Sequence, residues 1–197
     1  MKMTVLYLKG CGHAMAALTR AALADEEAPA PSDPDQASAE VTALVGGALP
    51  VRGFVNLPAN TRNATLFAIP ATALATLTLE RNEDQLLAPR GYAVIEDKRL
   101  EVPPATVAPT PVIKGADAST LYVELGSDVL AEQHIMLHVV PVGATVGEGQ
   151  FCHGIYKPAS ATVREVSFSM GAPLHGEYDV LVMMAGRRPA VRHLSVP

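Results

Sequence analysis

After residue 117 the apolar and polar positions fall into short β-type runs: Thr120–Leu125, His134–Val140, Val163–Met170, Tyr178–Met184 and Ala190–Val196. Turn-forming stretches separate them, at Gly126-Ser127-Asp128, Pro141–Gln150, Gly171–Gly176 and Gly186–Pro189. Side chains two apart on a strand share a face, so Val166, Phe168 and Met170 make one apolar row and Tyr178, Val180, Val182 and Met184 another. Such runs between closely spaced turns predict a small antiparallel sandwich. Val139-Val140 and Val180–Met184 carry few charges near their centres, which predicts central strands or strands paired with another chain.

The earlier part of the chain has a more mixed periodicity. Met3–Leu8 is a continuous apolar run that predicts a buried strand, ended by Gly10-Cys11-Gly12. His13–Ala24 has two readings, a helix by its alanines and leucines or the return strand of a hairpin. The hairpin is preferred, because Lys9 and His13 then frame the turn. Ser38 as an N-cap and Gly46-Gly47 as a stop predict one short helix near 38–46. Phe54-Val55, Thr65–Ile69, Thr76–Glu80 and Tyr92–Glu96 read as strands, with a helical turn as the alternative at Thr72–Ala75.

Between these regions, Glu101–Asp117 holds Pro103, Pro104, Pro109 and Pro111 within nine positions. Proline has no amide donor and a fixed φ, so this segment joins neither a helix nor a central strand. It reads as a spacer or as a strand on a sheet edge. The fold expected is therefore mainly β, in two β-rich halves: a domain over 1–102 with an acidic, proline-rich loop at 25–36, a linker at 103–117, and an antiparallel β-sandwich domain over 118–197. Gly176-Glu177-Tyr178-Asp179-Val180-Leu181-Val182 resembles the G-x-Y-x-V-x-V strand of immunoglobulin-like and fibronectin-like modules. The resemblance implies an immunoglobulin-like form for the C-terminal sandwich and bears on fold class alone.

Composition narrows the function. The 197 residues are 49% apolar and 18% charged, enough for a packed core. A net charge of -5 with scattered Lys and Arg argues against nucleic acid, which demands a basic face. Trp is absent and aromatics make up 5%, so stacking platforms for bases or sugars are scarce. Arginine outnumbers lysine and alanine and proline abound, as expected of a high-GC bacterial gene. The N-terminal stretch has the outline of a secretory signal, but Lys9, His13 and Arg20 interrupt its apolar region. No apolar run reaches the ~20 residues of a membrane span, and the location expected is cytoplasmic.

The candidate chemistry is sparse. Gly10-x-Gly12 lacks the rest of a dinucleotide fingerprint, since Met15 stands where the third glycine belongs. Cys11, His13, Cys152 and His153 are the residue types of a zinc site, but neither pair has zinc-site spacing, and two free thiols are expected. His134 and His138 share a strand face, roughly 13 Å apart at ~3.3 Å per residue, too far for one ion. Ser119, Ser160, Ser167 and Ser169 have no nucleophile elbow, and Asn63-Ala64-Thr65 is a glycosylation sequon without a secretion signal to use it. Arg187-Arg188 reads as a solvated hairpin loop. No catalytic, cofactor or metal residues are therefore assigned. The function expected is a non-enzymatic structural or adaptor subunit of a larger assembly, such as a tail-like or shell-like particle. Its partners would be other protein subunits, by self-association or hetero-assembly, and neither nucleic acid nor a membrane. A ligand- or metal-binding module using His and Cys is the alternative, and an enzyme of unrecognised type the third reading.

Overall fold

The computed structural model describes residues 2–19, 41–56, 62–95, 99–114, 118–126, 129–145, 147–158 and 164–197. The acidic loop expected at 25–36 lies outside them, as do residues 38–40 at the start of the predicted helix and Ser160. The described chain is mainly β, with several small antiparallel sheets and two short helices. It divides into two compact units, Met1–Leu49 with Ile69–Pro104 and Pro50–Ala68 with Ala105–Pro197.

The first unit is built on β1 (Lys2–Leu8), flanked by β2 (Ala14–Thr19) and β5 (Leu74–Glu80) in the order β2-β1-β5, both pairings antiparallel. The segment after Gly12 is thus the return strand of a hairpin. Gly12 is demanded twice over: its φ is +74°, and an added Cβ would stand 2.3 Å from the Val94 carbonyl oxygen. Met3, Val5, Leu6 and Leu8 are all buried, which is why β1 reads as an unbroken apolar run and not as an alternating one. Helix α1 occupies residues 41–45 and stops at Gly46, whose N–H donates to the Thr42 carbonyl at 2.9 Å.

A second helix, α2 (Glu83–Leu87), corrects the expectation of one. Asn82 accepts from the Asp84 and Gln85 amides, and the acids of the first turn favour the positive helix end. The chain there reads as a turn because the helix lasts only five residues. β6 (Ala93–Val94) and β7 (Leu100–Glu101) form a two-residue ribbon, shorter than the strand predicted over Tyr92–Glu96, of which residue 96 is not described.

The second unit holds two antiparallel sheets. One has the order β12 (Glu165–Ser169), β9 (Thr120–Glu124), β8 (Pro111–Ile113). The other runs β11 (Gln150–Tyr156), β10 (Gln133–Pro141), β13 (Gly176–Met184), β14 (Ala190–Val196). One hydrophobic cluster takes alternate residues from both sheets: Leu121 and Val123, Val166 and Phe168, Ile135, Leu137 and Val139, Val180, Val182 and Met184. Strands β10 and β13 are central, as the scarcity of charge in Val139-Val140 and Val180–Met184 predicted.

Both central strands are buried on their second face as well, through Met136, His138 and Val140 and through Asp179, Leu181 and Met183. Part of the cover comes from β3 (Ala48–Asn56) and β4 (Arg62–Pro70), which pair with each other and within which the division between the units falls. Phe67 on β4 is fully buried and meets the His138 ring edge-on at 5.7 Å. Burial of such a side chain contributes about 2–3 kcal/mol. Gly53 on β3 lies so close that a Cβ would stand 2.6 Å from Val191 and 2.7 Å from Phe67.

The proline-rich segment is pinned to this second unit from residue 106 onward. Ala108 N–H donates to Arg188 O and Arg188 N–H to Thr106 O, both at 2.9 Å, and the Arg192 guanidinium donates to Ala108 O at 3.1 Å. Pro111–Ile113 then forms the edge strand β8, where a missing amide costs no ladder bond.

Candidate functional site

The second face of the four-stranded sheet gathers four of the six histidines: His134 and His138 from β10, His153 from β11 and His193 from β14. They form three environments.

The first is anchored by Asp179, which has no exposed surface at all. A buried carboxylate is tolerated only when paired and hydrogen-bonded, and Asp179 is both. One oxygen accepts from the Thr65 hydroxyl of β4, the other from His193 Nδ1 at 3.1 Å. His193 Nε2 meets the Glu177 carboxylate at 2.6 Å, and Ser195 donates to the other Glu177 oxygen at 2.7 Å. Strand register builds this array, because Asp179 pairs with His193 and Glu177 with Ser195. The hydrogen bond to Asp179, and after it that to Glu177, raise the His193 pKa above its ordinary value against the opposing effect of partial burial. The Glu177 carboxyl is lowered, chiefly by Ser195 and then by His193.

An Asp–His pair is two thirds of a nucleophile-activating triad. In that arrangement Nε2 must accept a hydroxyl proton. Here Nε2 donates to a carboxylate, so the imidazole is held protonated between two acids, and the Ser195 hydroxyl donates a hydrogen bond to Glu177. The array ties β14 to β13 and β13 to β4, and it contains no activated nucleophile.

The second environment is His138, which is buried and whose pKa is lowered by that burial. Its ring bonds the Ala68 backbone, while Nδ1 has no hydrogen-bond partner among the described residues. Phe67 and Phe151 flank it, at 5.7 and 6.1 Å between ring centroids.

The third is a pair: His134 Nδ1 and His153 Nε2 lie 2.9 Å apart. The ring planes differ by 13° and the centroids are 5.1 Å apart, close to the N···N gap plus a ring radius at each end. The rings therefore meet edge to edge, one nitrogen donating and the other accepting. Burial and the proximity of His134 lower the His153 pKa. On the far side of its ring, His134 Nε2 stands 3.8 Å from the Glu132 carboxylate.

Strand alternation separates the residues that resemble a zinc set. Cys152 packs towards the core cluster while His153 faces the other way, and Cys11 is buried at the β1–β2 turn with its thiol pKa raised to about 12 by burial. Neither cysteine is in a disulfide. Among the described residues no group of three His, Cys, Asp or Glu side chains is arranged to hold a metal ion. Ser167 and Ser169 are exposed on β12 and Ser119 receives a backbone bond from Met170. The sequon's Thr65 is buried on Asp179. Arg187 lies in the β13–β14 turn, and Arg188 is drawn by its backbone onto the proline-rich segment.

The His134–His153 pair and the Asp179 array escape sequence reasoning for different reasons. No spacing rule links residues 134 and 153. The array was legible in principle, because folding Gly176–Met184 onto Ala190–Val196 about their turn sets Glu177 and Asp179 opposite Ser195 and His193. No protein-family model matches this chain, and neither a curated protein nor a solved structure does.

Proposed function

We propose that this chain is a non-enzymatic structural or adaptor subunit of a larger protein assembly. The observation that carries the reading is β11, an edge strand whose sequence Gln150–Tyr156 contains no Asp, Glu, Lys or Arg. An edge offers unpaired backbone donors and acceptors, and chains that must stay apart protect theirs with charge, proline or a bulge. The other edges of the same unit carry such protection: Arg192 on β14, Glu165 on β12, Pro111 on β8. β11 instead exposes Ile155 and His153. A strand from another subunit, or from a second copy, is the partner this edge fits.

The finer fold belongs to the same proposal. In β8 to β14, the first, second and fifth strands form one sheet and the third, fourth, sixth and seventh the other. The fourth pairs with the third, which departs from the constant-type immunoglobulin order and favours the fibronectin-like side of the resemblance. The Tyr178 hydroxyl accepts from the His175 amide three residues upstream at 3.3 Å, the contact of a tyrosine corner. A cytoplasmic location is part of this reading; among the described residues no helix is long and apolar enough to cross a membrane.

Light scattering after size-exclusion chromatography tests the proposal. Self-association that rises with concentration is expected, burying at least ~1,000 Å² per specific contact. Ile155→Lys should shift it to monomer without loss of fold. A clean monomer at high concentration that binds no apolar dye would overturn self-association through this edge.

A further inference from the structure

Beyond any assembly role, the three histidine environments differ in what they leave available. His193 is locked between two carboxylates, and His138 is buried. At His134 and His153 two ring nitrogens converge where solvent reaches: His153 is exposed on the edge strand and the His134 side chain is about a third exposed. We propose that His134 Nδ1 and His153 Nε2 form a two-imidazole site for one divalent transition-metal ion of the zinc, copper and nickel class, with water completing its coordination.

The spacing fits. Two nitrogens at ~2.0–2.1 Å from one ion stand about 2.9 Å apart at the right angle that copper and nickel favour and about 3.4 Å apart at the tetrahedral angle of zinc; the separation observed is 2.9 Å. The two nitrogens now point at each other along the line between the rings, and His153, being exposed, swings out of line to admit an ion without unpacking the core. The proton balance is simple. With Nδ1 of His134 as acceptor, its proton is on Nε2, on the side of the Glu132 carboxylate 3.8 Å away. His153 binds through Nε2 by holding its proton on Nδ1, its other tautomer. Because Cys152 lies on the opposite face of β11, the donor set is nitrogen and water, which suits zinc, copper and nickel.

Isothermal titration of the untagged, chelator-stripped chain with Zn²⁺, Cu²⁺ and Ni²⁺ tests this. One ion per chain is expected, with nitrogen hyperfine structure in the Cu²⁺ electron-paramagnetic-resonance spectrum. His134→Gln and His153→Gln should each weaken binding by about tenfold or more, while His193→Gln leaves it unchanged. Circular dichroism establishes that each variant is folded. Absence of saturable binding up to about 1 mM would overturn the proposal. So would binding that both His134→Gln and His153→Gln leave intact, or binding lost in His193→Gln alone, which would place the ion on the Asp179 array.

Discussion

The β13–β14 side and the β10–β11 side of one sheet face use the same side chain to opposite ends. At β13–β14 a fully buried carboxylate sits beneath His193, and the imidazole is held charged. At β10–β11 the nearest neighbour of His153 is another imidazole, and charge is disfavoured. The difference does not lie in the residue or in its position along a strand. It comes from the surroundings that register sets, because Asp179 stands directly opposite His193 whereas Met136 stands opposite His153 and His134 meets it on the diagonal, and it separates a structural clasp from a pair of open ligands.

Removing the clasp should produce the largest effect. Asp179→Ala strips Thr65 of its acceptor and His193 of its buried counter-ion, and a loss of about 3–5 kcal/mol in urea denaturation is expected. A loss below about 1 kcal/mol would show that the array is a surface ion pair, and the contrast between the two sides would collapse.

The pH dependence of stability should split by side. The folded pKa of His193 is raised, so its contribution is fully present below the unfolded value near 6.5 and disappears as pH rises through the folded value. The folded pKa values of His153 and His138 are lowered, so stability falls as pH drops below ~6.5 and through their folded values, where the unfolded chain takes up protons more readily. His193→Gln should flatten the alkaline limb and leave the acid limb; His153→Gln should reduce the acid limb and leave the alkaline one. Denaturation midpoints between pH 5 and pH 8.5 read both slopes, and identical profiles in the two variants would contradict the assignment.

The smallest effect is expected at the open pair. His134→Gln and His153→Gln at neutral pH, without metal, should change stability by no more than ~0.5 kcal/mol, because an exposed edge-to-edge hydrogen bond is readily replaced by water. A cost above about 2 kcal/mol in either variant would make the pair a second clasp.

Several strands were legible because period-2 alternation and uncharged runs are local properties of a chain. Val166, Phe168 and Met170 lie together in the core, and Val180–Met184 is central, as the pattern required. β11 was missed although it completes the sheet, since Gln-Phe-Cys-His-Gly-Ile-Tyr has a glycine where a strand would place a side chain. Packing explains it: a Cβ on Gly154 would stand 2.6 Å from Val166 and 2.9 Å from Phe168. The residue that weakens the strand signal is the one that lets the two sheets close. Helix α2 was hidden by its brevity, with an N-cap that equally suits a turn.

By itself the sequence determined the mainly β character, the hairpin glycines, the uncharged runs of β10 and β13, and the exclusion of a central position for the prolines. Each of these follows from what a residue can do with its own backbone or with neighbours a few positions away. Tertiary structure decided that Pro50–Ala68 belongs with the C-terminal strands, that Thr65 reaches Asp179 across 114 residues, and that His134 meets His153. Those contacts depend on which strands pair and in what register. That choice is made by burying both faces of β10 and β13 at once, a condition on the whole sheet that no local pattern encodes.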